Sequence, residues 1–268
     1  MRNNPIGIFD SGIGGLTVLK EIAGLLPREN TVYLGDTARV PYGNKSKDTV
    51  VRYSFENARF LVGHHIKLLV IACNTASAFA LEDIKDALTL PVIGVIEPGA
   101  KAATTATRTG RIGVIGTEGT IKSNAYCSAI KALSPGVETF TQACPLFVPL
   151  AEEGWTDNSV AIDTAAIYLA PLKKFGIDTL VLGCTHYPLL KKTIAKVMGP
   201  GVTLIDSAEA TAMEVMRILE EKGIANIESS TPSRRFYVTD SPERFIKVGK
   251  TFFGEGLGDA ELAYLAGC

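Results

Sequence analysis

The chain has almost no net charge. Its 27 lysines and arginines nearly balance 28 aspartates and glutamates, leaving −1 at neutral pH. Nucleic-acid binding needs a basic face, and a tight basic pair such as Arg234-Arg235 is too short to make one. Long apolar runs are missing as well: no segment reaches the roughly 18 uninterrupted apolar residues of a membrane helix. Met1-Arg2-Asn3-Asn4-Pro5 leads straight into a strand pattern, without the apolar stretch and small-residue cleavage site of a secretion signal. The expectation is a cytoplasmic protein with neither a membrane nor a nucleic-acid partner. Cysteine is sparse, at five residues: Cys73, Cys127, Cys144, Cys184 and Cys268. None forms a C-x-x-C pair, so the spacings that signal zinc or thioredoxin-like redox chemistry are absent and no metal is expected. In a reducing compartment all five are expected to be free thiols.

What is present is an ordinary globular composition, 46% hydrophobic over 268 residues, enough for one large domain or two modest ones. Short apolar runs alternate with helical patterns. Strands are expected at Ile6–Phe9, Thr31–Leu34, Leu68–Ala72, Val92–Val95, Ile112–Ile115, Thr139–Gln142, Thr179–Gly183, Thr203–Ile205 and Phe236–Val238. Helices are expected at Leu16–Leu25, Asp48–His64, Ala76–Ala87, Ile121–Ala132, Val160–Phe175 and Ala208–Lys222. This alternation predicts an α/β protein with parallel sheets covered by helices. The halves also look alike. Ile6-Gly7-Ile8-Phe9-Asp10-Ser11-Gly12 resembles Ile112-Gly113-Val114-Ile115-Gly116-Thr117-Glu118, and Gly7 precedes Cys73 by nearly the interval at which Gly113 precedes Cys184. Any two strand-loop-helix units share some likeness, but here the first strand and the thiol strand both line up. The reading is two similar Rossmann-like lobes related by a pseudo-twofold, residues 1–96 with 207–268 and residues 97–206, with the site in the cleft between them.

The two cysteines carry the chemistry. Cys73 closes Leu68-Leu69-Val70-Ile71-Ala72 and precedes Asn74-Thr75; Cys184 closes Thr179-Leu180-Val181-Leu182-Gly183 and precedes Thr185-His186. Ligands of open α/β sheets bind beyond the carboxyl ends of the strands. A single buried cysteine is usually inert; two at equivalent strand ends suggest moving a proton on and off one carbon. A thiol has a reference pKa of about 8.5, which a helix N-terminus or a neighbouring base lowers toward neutrality. Cys127, Cys268, His64 and His65 read as structural, and Cys144 as a core thiol. His186 titrates in the range a proton shuttle needs. Asp10-Ser11-Gly12-Ile13-Gly14-Gly15 follows a strand and precedes a helix. It suits a carboxylate better than a pyrophosphate, because the Asp10 charge would repel the latter. Pro41-Tyr42-Gly43-Asn44 reads as a turn that offers the Tyr42 hydroxyl and the Gly43 N–H. Glu152-Glu153 reads as a helix start.

Four segments together resemble a known family. Phe9-Asp10-Ser11-Gly12-Ile13-Gly14-Gly15-Leu16-Thr17-Val18, Asp36-Thr37-Ala38-Arg39-Val40-Pro41-Tyr42-Gly43, Ile71-Ala72-Cys73-Asn74-Thr75-Ala76-Ser77 and Gly183-Cys184-Thr185-His186-Tyr187-Pro188-Leu189-Leu190 look like the signatures of the glutamate racemases, within the cofactor-independent aspartate/glutamate racemases. The resemblance runs from residue 6 to about residue 210. It implies interconversion of L- and D-glutamate, D-glutamate for peptidoglycan, no cofactor, and a homodimer. It implies Cys73 and Cys184 as the acid/base pair, Cys184 serving L-glutamate and Cys73 D-glutamate. Asp10 would assist Cys73, while His186 and Glu152 (or its neighbour Glu153) would assist Cys184. Asp10, Ser11, Tyr42, Gly43, Asn74, Thr75, Thr185 and His186 would bind substrate. The two thiols would then work beside different groups, so the two directions are expected to differ in pH dependence.

Three other readings compete. A sibling racemase for aspartate shares the architecture. A two-lobed amino-acid binding protein has no need of paired thiols. A cysteine hydrolase using Cys184 and His186 leaves Cys73 without a task.

Overall fold

A computed structural model describes residues 2–228 and 231–265; Cys268 lies outside the described residues. The described residues form ten strands and eleven helices. The strands are β1 (Ile6–Asp10), β2 (Thr31–Gly35), β3 (Leu68–Ile71), β4 (Val92–Gly94), β5 (Arg111–Gly116), β6 (Glu138–Ala143), β7 (Thr179–Gly183), β8 (Thr203–Asp206), β9 (Arg234–Val238) and β10 (Ala260–Leu262). The helices are α1 (Leu16–Leu25), α2 (Lys47–Gly63), α3 (Asn74–Ala87), α4 (Ile96–Ala106), α5 (Glu118–Lys122), α6 (Ala125–Leu133), α7 (Phe147–Glu152), α8 (Ser159–Lys174), α9 (Lys191–Met198), α10 (Ser207–Glu221) and α11 (Pro242–Phe253). Two sheets result, ordered β10-β9-β2-β1-β3-β4 and β6-β5-β7-β8, and every pairing is parallel. The chain is an α/β protein with two Rossmann-like lobes.

The internal likeness is real in three dimensions. The central strand β1 lies between β2 and β3 in one sheet, as β5 lies between β6 and β7 in the other. Gly7 pairs with Leu69 and Gly113 with Leu180, and each thiol follows that partner at the same interval. The two glycines share a cause. A Cβ on Gly7 would lie 2.7 Å from Ile66 Cδ1, and one on Gly113 would lie 2.5 Å from Ile177 Cδ1. In each lobe, an isoleucine just before the thiol strand fills the space a side chain would need. The strands β1, β3 and β7 are buried along their whole length, as their apolar runs require when helices cover both faces.

The two lobes exchange a helix. α4 follows β4 of the first sheet, yet its Ile96, Ala100 and Ala103 pack with Ile112, Val114 and Tyr126 of the second. α10 follows β8 of the second sheet, yet its Ala208, Ala212, Val215 and Leu219 join the core of β1 and α1. The tail β9-α11-β10 then extends the first sheet past β2.

The sequence reading departs from the structure at several places. Ile121–Ala132 is not one helix: Asn124 sits at φ 60°, a left-handed conformation asparagine tolerates, and it separates α5 from α6. α4 and α7 were not expected because each holds a proline, Pro98 and Pro149. Both prolines fall in the first helical turn, where no intrahelical N–H is lost. Glu152-Glu153 ends a helix instead of starting one. The edge strand β10 has no alternating pattern to reveal it.

Candidate active site

Cys73 and Cys184 sit just beyond β3 and β7, each only 6% exposed. Cys73 is the N-cap of α3. The Ala76 N–H points at its sulfur, and the thiol lies 3.6 Å from Ser11 Oγ. Burial, with the Asp10 carboxylate nearby, pushes the Cys73 thiol up to about 12, against those two hydrogen bonds. Cys184 leads into a short 3-10 turn, Tyr187–Leu190, rather than directly into an α-helix. Its sulfur faces His186 Nδ1 at 3.9 Å.

His186 links three elements. Its Nε2 lies 3.1 Å from Glu152 Oε1 at the end of α7, and its ring meets Phe252 of α11 edge to face at 5.2 Å. Burial opposes charge on this imidazole. The bonds to Cys184 and Glu152, with Asp10 nearby, outweigh burial and raise its pKa to about 10. Glu152 is correspondingly held below the usual carboxylate range, first by its bond to His186 and then by Arg244. The structure separates the adjacent acids: Glu152 is part-buried against His186, whereas Glu153 is exposed.

Asp10 is fully buried at the end of β1 and serves both lobes. Its Oδ2 accepts from the Gly12 N–H at 2.9 Å, and its Oδ1 accepts from Thr185 Oγ1 at 3.5 Å. Burial raises its pKa, while His186 and these hydrogen bonds oppose the rise. The loop carrying Gly14 is pressed against the other lobe. A Cβ there would lie 2.3 Å from Thr185 Oγ1 and 2.5 Å from His186 Nδ1. Thr17 Oγ1 donates to the Thr185 carbonyl at 3.1 Å, a second tie between the lobes.

Asn74 Oδ1 accepts from Tyr126 at 2.7 Å, but Asn74 Nδ2 is buried with no hydrogen-bond partner. A buried orphan donor is costly and asks for an explanation; a ligand oxygen supplies one. Thr75 Oγ1 lies 2.9 Å from Thr117 Oγ1 and 3.2 Å from Thr120 Oγ1, a hydroxyl cluster across the lobes. Gly43 lies against Thr117, where a Cβ would approach to 2.6 Å.

Tyr42 departs from expectation. Its hydroxyl donates to Asp36 and receives the Asn57 amide at 3.0 Å. Asp36 is itself held by Arg39 and Thr239. The ring is buried, and its hydroxyl is committed to this network. Any contribution to a ligand therefore falls to the backbone of the Tyr42-Gly43 turn. His64, read as structural, packs between Phe60 and Tyr237, and burial together with Arg235 lowers its pKa. Sequence reasoning missed Tyr126, Thr117, Thr120, Phe252 and Arg244. None has a motif of its own, and only Thr117 lies in a segment the internal likeness had singled out.

A cavity of about 200 Å³ lies beside the site, lined by Gly12, Ile13, Val40, Glu152 and Arg244 among others. A larger one, about 580 Å³, lies among α3, α4, α6 and α10 and touches neither thiol. The smaller is not lined by a thiol either, but it reaches Glu152, the partner of His186. Among the described residues, no group of three or more His, Cys, Asp or Glu is placed to hold a metal ion. No described helix is long and apolar enough to cross a membrane.

Two buried thiols thus lie at equivalent strand ends, one beside Asp10 and one beside a His–Glu pair. Comparison with known proteins supplies the family. The profile of the Asp/Glu/hydantoin racemases matches residues 12–215. The chain belongs to the Asp/Glu/hydantoin racemase family. It is 61% identical over 254 residues to a protein of Geobacter metallireducens named glutamate racemase, covering 95% of this chain and 94% of that one. Among solved structures, glutamate racemase RacE1 from Bacillus anthracis superposes with a TM-score of 0.96 at 43% identity, over 99% of both chains. Glutamate racemase from Francisella tularensis in complex with D-glutamate superposes at 0.93 with 39% identity, again over 99% of both. Within this family frame, the asymmetric partners of the two thiols are the feature to explain.

The His186 proton is directly testable. Glu152→Gln removes one of the bonds that favour the imidazolium. The His186 pKa is then expected to fall from about 10 toward the usual value of roughly 6.5, read by NMR titration of labelled histidine. An unmoved value would remove Glu152 from the account. The same shift has a stability consequence. The folded value lies above the unfolded one, so the contribution is complete below pH ~6.5 and is lost as pH rises through the folded value.

Proposed function

We propose that this protein interconverts L- and D-glutamate by two-thiol proton transfer without a cofactor, supplying D-glutamate for peptidoglycan. The observation that carries the reading is the matched placement of Cys73 and Cys184 around one buried site, in a chain whose relatives bear the name glutamate racemase. One lobe, residues 1–96 with 207–268, contributes Cys73 and Asp10; the other, residues 97–206, contributes Cys184, His186 and Glu152. The protein acts as a homodimer in the cytoplasm.

An amino-acid α-proton is very weakly acidic, so the carbanion formed on its removal needs strong stabilisation. The unpartnered Asn74 Nδ2, the Thr75 and Thr185 hydroxyls and the amides at the start of α3 would hold the α-carboxylate, where negative charge develops. One thiolate removes the α-proton from one face, and the opposite thiol delivers a proton to the other. The reverse reaction exchanges the two roles. The His186 imidazolium is the counter-charge a thiolate at Cys184 needs. Cys73, pushed up by burial and Asp10, rests as the thiol. The substrate ammonium group beside Asp10 would then favour the Cys73 thiolate when the D-enantiomer binds.

The test needs only protein, substrate and D2O. L-glutamate incubated without added cofactor is expected to lose optical rotation and gain α-deuterium together. Absence of both signals with folded protein would overturn the reading. Parallel tubes of L-aspartate are expected to stay unchanged; turnover there instead of with glutamate would favour the aspartate alternative.

A further inference from the structure

Glu152 divides its two oxygens between two partners. Oε1 faces His186 Nε2 at 3.1 Å, while Oε2 lies 3.5 Å from Arg244 Nη2 on α11. His186 Nδ1 in turn faces Cys184. A connected line therefore runs from Arg244, whose side chain is 62% exposed, through part-buried Glu152 and buried His186 to the thiol. We propose that Arg244 is a positioning residue for the Cys184 half of the site: by occupying Glu152 Oε2 it presents Oε1 to His186 and so fixes the imidazole that faces the thiol.

Helix electrostatics support the assignment. Arg244 lies in the first turn of α11, and a cation there opposes the helix dipole. Glu152 is the last residue of α7, where an anion is equally misplaced. Neither charge is explained by its own helix; each is explained by the other. α11 also reaches the line a second time, through Phe252 against the His186 ring. The Cys73 half has no counterpart. Its neighbours, Ser11, Asp10 and the start of α3, are all buried and come from within the first lobe. The tail helix thus supplies a charged partner to the Cys184 half.

This inference deepens the racemase reading and rests on it for its catalytic meaning, but its primary test does not. The charged and titratable groups facing His186 are Cys184, Glu152 and Asp10, and those facing Glu152 are His186 and Arg244. Positioning and simple charge predict opposite signs. If Arg244 acts only as a nearby cation, Arg244→Ala removes a repulsion and the His186 pKa rises. If Arg244 orients Glu152, the loss lets the carboxylate turn away and the His186 pKa falls, by roughly half a unit or more.

The experiment is an NMR titration of labelled histidine in substrate-free protein, with His186 assigned by replacing His64 and His65. Wild type, Arg244→Ala and Arg244→Lys are compared. The expected result is a fall in Arg244→Ala that Arg244→Lys largely restores. The alkaline limb of kcat should move to lower pH by the same interval. A His186 pKa that rises or stays put in Arg244→Ala overturns the proposal, as does a change confined to KM. Because the titration is read without turnover, it stands even if glutamate proves to be the wrong substrate. Arg244 is exposed at a helix start, so both variants should fold, which far-UV circular dichroism checks.

Discussion

Replacing Cys73 or Cys184 with serine should reduce racemisation by about a thousandfold, within the range that a positioned acid or base contributes. The more telling result lies in what each variant keeps. With Cys73→Ser, the enantiomer whose α-proton faces Cys184 can still be deprotonated and reprotonated on the same face. That enantiomer should gain α-deuterium in D2O without inverting, while its mirror image stays inert. Cys184→Ser should show the same behaviour with the enantiomers exchanged. By the expected assignment, L-glutamate exchanges in the first variant and D-glutamate in the second. Mass spectrometry combined with chiral separation reads both quantities in one sample. If either variant racemises at the wild-type rate, two-thiol transfer is wrong. If neither exchanges anything, serine has disturbed the site as a whole.

Gly14→Ala is expected to have the largest effect of any single methyl group. The new Cβ would fall 2.3 Å from Thr185 Oγ1 and 2.5 Å from His186 Nδ1, and neither neighbour is free to yield. Thr185 bonds to Asp10, and His186 is held by Glu152 and backed by Phe252. The loop at the start of α1 and the loop after β7 must therefore separate. A displacement of about 1 Å at a reacting group costs on the order of 100-fold in rate, and overpacking costs about 1–3 kcal/mol in stability. The control lies within α1 itself. Gly24 has nothing within 4 Å of its missing Cβ, so Gly24→Ala should leave activity unchanged and stabilise α1 by about 0.5–1 kcal/mol. Steady-state kinetics with thermal melts on both variants checks the pair. Wild-type kcat/KM in Gly14→Ala would mean that the lobes are not closed in this way during turnover.

The asymmetry between the two thiols has a limit set by thermodynamics. Enantiomers have equal free energies in an achiral solvent, so the equilibrium constant is one. The two directions must then share one kcat/KM at every pH. The expected difference in pH dependence can appear only in kcat and KM taken separately, through the protonation of the bound complexes. Measurements restricted to low substrate would miss it.

Much of this molecule was legible because its chemistry is local. Buried parallel strands announce themselves as continuous apolar runs, and β7 matches its expected limits, Thr179–Gly183. The matched thiols followed from two such runs ending alike, and the sheet register then put Cys73 and Cys184 in equivalent places. Local patterns misled where a local rule has an exception. Proline in a first turn hid α4 and α7, and asparagine in a left-handed conformation broke the helix expected at Ile121–Ala132.

Side-chain direction was a harder matter. The Tyr42 hydroxyl turns to Asp36 and Asn57 because a buried hydroxyl takes the partner it can reach, and that partner comes from outside its own turn. Glu152 and Glu153 are indistinguishable in one dimension; only the end of α7, docked beside the loop after β7, gives one of them a histidine. Arg244 and Phe252 belong to a tail helix with no signature, and they matter solely because α11 packs where the two lobes meet. The sequence by itself determined the two sheets, the two thiols and the polar loops beside them, since backbone period and hydrophobic burial act over a few residues. The tertiary structure alone decided which polar groups partner each thiol, because those partners come from separate elements and long-range packing is what brings them together.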